Sequence, residues 1–141
     1  MVSNYIKGIN AESRVVKILI DSGYEILGRR IKTKYGEIDI LAFKDNTVVA
    51  VEVKQRKTLD IARECLTNRQ MHRIAKALQF IIYQHSILNA FGSTINPNIS
   101  ANHGCENSII ENYRIDVVLL DRTGNYEYII NAFSFETDTD F

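Results

Sequence analysis

Asp39 and Glu52 are the residues of this chain best placed to do chemistry, thirteen positions apart in Gly36-Glu37-Ile38-Asp39-Ile40-Leu41-Ala42 and Val51-Glu52-Val53-Lys54. Both stretches alternate as strands do, and Asp45-Asn46 between them suits a two-residue hairpin turn. That turn sets a register in which Lys44 pairs with Thr47, Phe43 with Val48, Asp39 with Glu52 and Glu37 with Lys54. Ile38, Ile40, Ala42, Val49, Val51 and Val53 then form a core face. Two carboxylates and an ammonium gather at one end of the other, mostly apolar face. Directly opposed carboxylates lie roughly 4.5–5.5 Å apart at Cβ and repel each other. A cation between them removes the repulsion.

Hydrolysis of a phosphodiester uses such a cation. One or two Mg²⁺ or Mn²⁺ ions held by carboxylates stabilise the developing charge and activate water. Asp39 and Glu52 would be the metal ligands, with the backbone carbonyl of Val53 as a third oxygen. Lys54 would orient water or neutralise the scissile phosphate. The same residues would equally form a surface cluster in which Lys54 pairs with Glu37 and Glu52, an arrangement worth little energy.

The chain has 141 residues, 45% of them hydrophobic, enough for one domain with a genuine core. Its net charge is zero, which argues against an indiscriminate polyanion binder. The total conceals an asymmetry. Residues 1–90 hold 15 Lys and Arg against 9 Asp and Glu, whereas residues 91–141 hold 2 against 8. The basic excess shares its segment with the carboxylates, as an anionic substrate would require. Cys65 and Cys105 fit no zinc spacing, and His72, His85 and His103 make none with them, so plain thiols in a reducing compartment are expected. Met1 to Gly8 lacks the apolar run of a signal peptide, and no segment reaches membrane-spanning length. A cytoplasmic protein with no membrane partner follows as the expectation.

The elements that must position the site are legible from periodicity. Asn10 to Ser22 reads as an amphipathic helix with a stripe of Ala11, Val15, Ile18 and Leu19, stopped at Gly23. Tyr24 to Ile31 has strand composition, and Lys32 to Gly36 is a basic turn before the hairpin. Ile61 to Leu66 suits a short helical turn. A longer helix runs from about Thr67 to His85 on a stripe of Met71, Ile74, Ala75, Leu78, Ile81 and Ile82, with Thr67 and Gln70 in capping-box spacing. Residues 89–107 are rich in Ser, Asn and Gly, hold the only proline, and read as a long loop. Glu111 to Asp121 and Gly124 to Phe133 return to strand. A single domain over residues 1–135 is expected, of α/β class with a central mixed sheet flanked by helices, followed by an acidic tail over 136–141.

The two carboxylate strands after a helix bearing Glu12 resemble the PD-(D/E)xK nuclease superfamily. Within it, Gly-Glu-Ile-Asp-Ile-Leu-Ala, Val-Glu-Val-Lys-Gln-Arg and Tyr-Arg-Ile-Asp-Val-Val look like the YraN-like family, similar in its core to archaeal Holliday-junction resolvases. The resemblance covers about Gly8 to Leu120 and implies a restriction-endonuclease-like fold. Carried over by position, Asp39 and Glu52 match metal carboxylates and Lys54 matches the catalytic lysine. Glu12 matches the additional acid of resolvase-type sites, although an exposed glutamate beside a helix stripe needs no such role. Where the family often has lysine this chain has Gln70, which suits an accessory contact or a helix cap equally. The family lacks a loop like 89–107, which therefore reads as an insertion.

The basic residues fall into Arg29, Arg30, Lys32 and Lys34, then Lys54, Arg56 and Lys57, then Arg69, His72, Arg73 and Lys76. Arg30, Lys32, Lys34, Arg56, Lys57, Arg69 and Arg73 are the candidates for contact with a phosphate backbone. Helix solvation explains the last group as readily. No aromatic-interleaved or recognition-helix motif points to base reading. Arg114 and Asp116, on one face of a later strand, read as a salt bridge bordering the core. The expectation is a Mg²⁺- or Mn²⁺-dependent endonuclease for DNA, including branched DNA, or else a non-catalytic nucleic-acid-binding protein on the same fold. A homodimer would suit a branched substrate, but no residue marks a dimer face.

Overall fold

The computed structural model describes residues 4–91 and 112–134. Helix α1 (Asn4–Asp21) starts six residues before the apolar stripe predicts and ends on a Schellman motif. Gly23 takes φ +89°, its N–H donates to Ile20 O, and Tyr24 N–H donates to Leu19 O. Three strands follow, β1 (Glu25–Thr33), β2 (Gly36–Lys44) and β3 (Thr47–Gln55), then a short α2 (Leu59–Glu64) and a long α3 (Asn68–Phe91). Strands β4 (Asn112–Leu120) and β5 (Tyr126–Phe133) complete the chain. Helix α3 runs past His85, so residues 89–91 of the expected loop are helical. The rest of that loop, with His103 and Cys105, lies outside the described residues, as does the acidic tail over 136–141.

The five strands form one mixed sheet in the order β1-β2-β3-β4-β5, consistent with a restriction-endonuclease-like α/β fold. β3 and β4 are parallel and the other neighbours antiparallel. The Asp45-Asn46 turn has both residues at positive φ, 51° and 59°, which matches the twist of a tight hairpin. The predicted register holds from Lys44↔Thr47 to Ile40↔Val51.

One expectation needs correction. The hairpin has two core faces, because helices cover both sides of the sheet. Ala11, Val15 and Leu19 of α1 pack on Ile40, Ala42, Val49, Val51, Val118 and Leu120. Met71, Ile74, Leu78 and Ile81 of α3 pack on Leu41, Val48, Ala50, Ile115, Val117 and Leu119. A strand buried on both faces reads as a continuous apolar run rather than as alternation. Ile38 was expected beside Ile40, yet it joins the α3 layer with Ile31 while Ile40 lies under α1. The alternation therefore slips at Asp39.

On β4, level with Val51, Asp116 is fully buried and saturated with donors. Arg114 reaches it through Nε (2.8 Å) and an Nη (3.0 Å), Tyr128 Oη at 2.6 Å and Asn131 N–H at 2.9 Å. Asn131 sits at φ 55° in a bulge of β5, where residues 130–132 arch opposite Asp116. The salt bridge expected at the border of the core is thus a pin that fixes β5 on β4. Asp116→Ala leaves Arg114 without its carboxylate and should cost about 3 kcal/mol; Tyr128→Phe should cost about 1 kcal/mol. Urea denaturation of the two variants measures both, and equal losses would contradict this division.

Candidate active site

The β2–β3 ladder stops at Ile40↔Val51 among the described residues, and the acidic site begins there. Hydrogen-bonded pairs alternate along an antiparallel ladder, so the next exchange would join Val53 to Ile38. Instead Val53 N–H donates to Asp39 Oδ2 at 2.8 Å. A side-chain carboxylate thus takes the place of a backbone carbonyl, and Asp39 is fixed across the gap to β3.

Glu52, only 6% exposed, faces the α3 layer. Its Oε1 accepts from Gln70 Nε2 at 2.9 Å and lies 3.3 Å from Lys54 Nζ. Gln70 combines the two roles that its sequence context allowed. Its backbone N–H donates to Thr67 Oγ1 as a helix cap does, while its amide leaves the cap and enters the site. From the other layer Glu12 of α1 is buried, with Oε2 shielded from solvent and making no hydrogen bond. Arg30 stands 3.9 Å from Glu12 and 3.7 Å from Glu37. The structure therefore brings Asp39, Glu52, Lys54, Glu12 and Gln70 together where the two helix layers meet. Glu37, expected opposite Lys54, turns to Arg30 instead.

Arg30, one of the candidate phosphate contacts, lies beside Glu12 and Glu37. Its backbone is left-handed, φ 50°, an uncommon state for a residue other than glycine. This turn breaks the alternation of β1. Arg29 reaches Ser13 Oγ of α1 at 3.0 Å, whereas Ile31 lies in the α3 layer. Two consecutive arginines thereby serve the α1 side of the site. Lys32, Lys34, Arg56, Lys57, Arg69 and Arg73 are all exposed.

The electrostatics are those of acids held without enough positive charge. Burial, then the negative charge of Asp39, pushes the Glu52 carboxyl up to about 8. Burial also raises Asp39, against the opposing help of the Val53 N–H. Glu12 is raised by burial and then by Asp39, with Arg30 and Arg29 working the other way. The interaction between the two carboxyls works in opposite directions, raising Glu52 and lowering Asp39. Among the described residues no three His, Cys, Asp or Glu side chains cluster as a metal-ligating group. Two carboxylates nevertheless match the sparse protein donor set of Mg²⁺, which keeps waters and substrate oxygens in its shell.

Residues 11–120 match the family described as uncharacterised protein family UPF0102. The chain belongs to that family. A UPF0102 protein of Granulibacter bethesdensis is 34% identical over 131 residues, covering 93% of this chain and 70% of that protein. One from Bradyrhizobium sp. (strain BTAi1) is 44% identical over 84 residues, which are 60% of this chain and 62% of the relative. Another, from Rhodopseudomonas palustris (strain BisB5), is 47% identical over 78 residues, or 55% and 60% of the two chains. In these last two matches the chain spans less than two thirds of the relative's length. Among the described residues no helix is long and apolar enough to cross a membrane.

The raised carboxyls make a signed prediction for this UPF0102 chain without metal. Above pH 4.5, the ordinary value for a glutamate, the folded state binds more protons than the unfolded chain. The contribution of Glu52 to stability is thus complete below that pH and is lost as pH rises through about 8. Glu52→Gln should flatten this slope and stabilise the metal-free protein by roughly 1–2 kcal/mol at the alkaline end. Melting temperatures across that range in a chelator would show it; a parallel slope in the variant would place the titration elsewhere.

Proposed function

We propose that this UPF0102 protein is a metal-dependent endonuclease of the PD-(D/E)xK type, hydrolysing phosphodiester bonds in DNA. The observation that carries the reading is the pairing of Asp39, held by the Val53 N–H, with buried Glu52, flanked by Lys54 at 3.3 Å. Such a pair is costly to fold without a cation. Mg²⁺ or Mn²⁺ would be held by Asp39 and Glu52, with the Val53 carbonyl available beside them. The ion would supply charge neutralisation at the phosphate and a more acidic bound water.

The chain's own residues have separable parts in this scheme. Asp39 is oriented by the Val53 N–H, so one carboxylate position is set by the backbone. Glu52 is oriented by Gln70 and charge-compensated by Lys54. The Lys54 ammonium is 15% exposed at its side chain, close enough to Glu52 to share it and open enough to meet a phosphate oxygen or water. Glu12 adds a third acid at longer range, its Oε2 buried without a hydrogen-bond partner. The exposed cations Lys32, Lys34, Arg56, Lys57, Arg69 and Arg73 supply sequence-independent backbone contact.

A second reading is a nucleic-acid-binding protein that keeps this fold without turnover. The lack of a three-acid ligand group among the described residues favours it. Metal linkage separates the two. Mg²⁺ or Mn²⁺ should raise the melting temperature, and Asp39→Asn should abolish the rise.

Cleavage tests the activity itself. Labelled single strand, duplex, flap and four-way junction are incubated with each metal and with wild type, Glu52→Gln and Lys54→Ala. Both variants should lose on the order of 10²-fold or more in rate. Binding without cleavage, equal in all three proteins and indifferent to metal, would select the second reading.

A further inference from the structure

Two aromatic rings far apart in sequence meet on the basic side of the molecule. Tyr35, in the β1–β2 turn, and Phe80, on α3, stack edge to face with centroids 5.7 Å apart and planes at 70°. The Lys34 ammonium lies over both rings, 5.2 Å from the Tyr35 centroid and 5.3 Å from that of Phe80. Phe80 is not part of the α3 core stripe. Half-buried, it follows the exposed Arg69, Arg73 and Lys76 at spacings of three and four, on the side away from Met71 and Leu78. Tyr35 remains 40% exposed.

The turn that carries Tyr35 is held in place. Thr33 Oγ1 accepts from the N–H groups of Tyr35 and Gly36 and donates to Gly36 O. A side chain begun at Gly36 would stand 3.6 Å from Arg73 Cβ, so the turn rests directly on α3. A fixed, exposed ring bordered by Lys34 and Arg73 has the two parts of a single-strand site, a stacking surface and cations for the backbone. Its place relative to the acids is also set. Phe80 lies ten positions along α3 from Gln70, which holds Glu52. That is about 15 Å of helix axis, or roughly four stacked nucleotides of one strand.

We propose that Tyr35, backed by Phe80 and Lys34, is a stacking site for an unpaired base of a DNA strand whose phosphates pass Arg73 toward Asp39 and Glu52. The inference rests on the DNA reading above and narrows it to substrates with an unpaired segment near the scissile bond. A plain duplex keeps its bases stacked on each other and offers none to Tyr35.

Fluorescence anisotropy in a chelator tests this on the full chain, with no turnover required. The probes are oligo-dT, oligo-rU, an abasic oligonucleotide of equal length, and a duplex. Tyr35→Leu, which keeps an apolar contact for Phe80, should weaken oligo-dT binding by about 5- to 100-fold, while Tyr35→Phe stays within roughly twofold of wild type. Neither change should alter the abasic or duplex affinities. Phe80→Leu, which removes the supporting ring, should weaken oligo-dT in the same direction. Oligo-dT binding untouched by Tyr35→Leu overturns the stacking site and leaves the DNA reading standing. Wild type that binds none of the probes overturns both. A Tyr35-dependent grip on oligo-rU that oligo-dT lacks overturns the assignment to DNA.

Discussion

The hydrogen bond from Val53 N–H to Asp39 Oδ2 is the contact on which the site depends. It replaces the backbone pair that would otherwise continue the ladder, and so it separates β2 from β3 without leaving a buried donor unpaired. It also fixes which way Asp39 points. A carboxylate anchored by the main chain has its position set by the fold, which is the preorganisation that the proposed metal site would require.

Both helix layers converge on that opening. The α1 layer contributes Glu12 with Arg29 and Arg30; the α3 layer contributes Gln70, with Lys54 and Glu52 from β3 beneath it. The arginines reach the α1 side together only because β1 turns left-handed at Arg30. Backbone strain of this kind costs of order 1–3 kcal/mol and tends to collect at functional sites. Here it places positive charge beside acids whose burial raises them. The compensation is partial. Arg30 stands 3.9 Å from Glu12, and Glu12 Oε2 remains unbonded.

Much of this was legible in the sequence, for a local reason. The hairpin register follows from a turn of two residues, so the pairing down to Ile40↔Val51 could be counted out along the chain, whereas the break at Asp39 could not. The element order followed from periodicity in the same way. The second core face was not legible. Leu41, Val48 and Ala50 look like an apolar surface until α3 is laid over them, and two-sided burial erases the alternation that marks a surface. The approach of Arg30 to Glu12 and Glu37 was not legible either, because no pattern announces a left-handed residue in a strand. The Tyr35–Phe80 pair escaped as well. Forty-five positions separate the rings, and only the packing of the β1–β2 turn on α3 brings them together.

Gln70 shows how a neutral residue can suit an acidic site better than a charged one. Lys54 already stands on Glu52 Oε1, and Gln70 Nε2 donates to the same oxygen. A lysine in place of Gln70 would bring a second ammonium to one carboxylate. That would favour the ionised acid without metal and oppose the approach of any divalent cation. The amide keeps the hydrogen bond and adds no charge. Glu52 is thereby held in position while its protonation stays governed by burial and by Asp39. The unbalanced negative charge then remains at the gap between the carboxylates, where a cation can take it up.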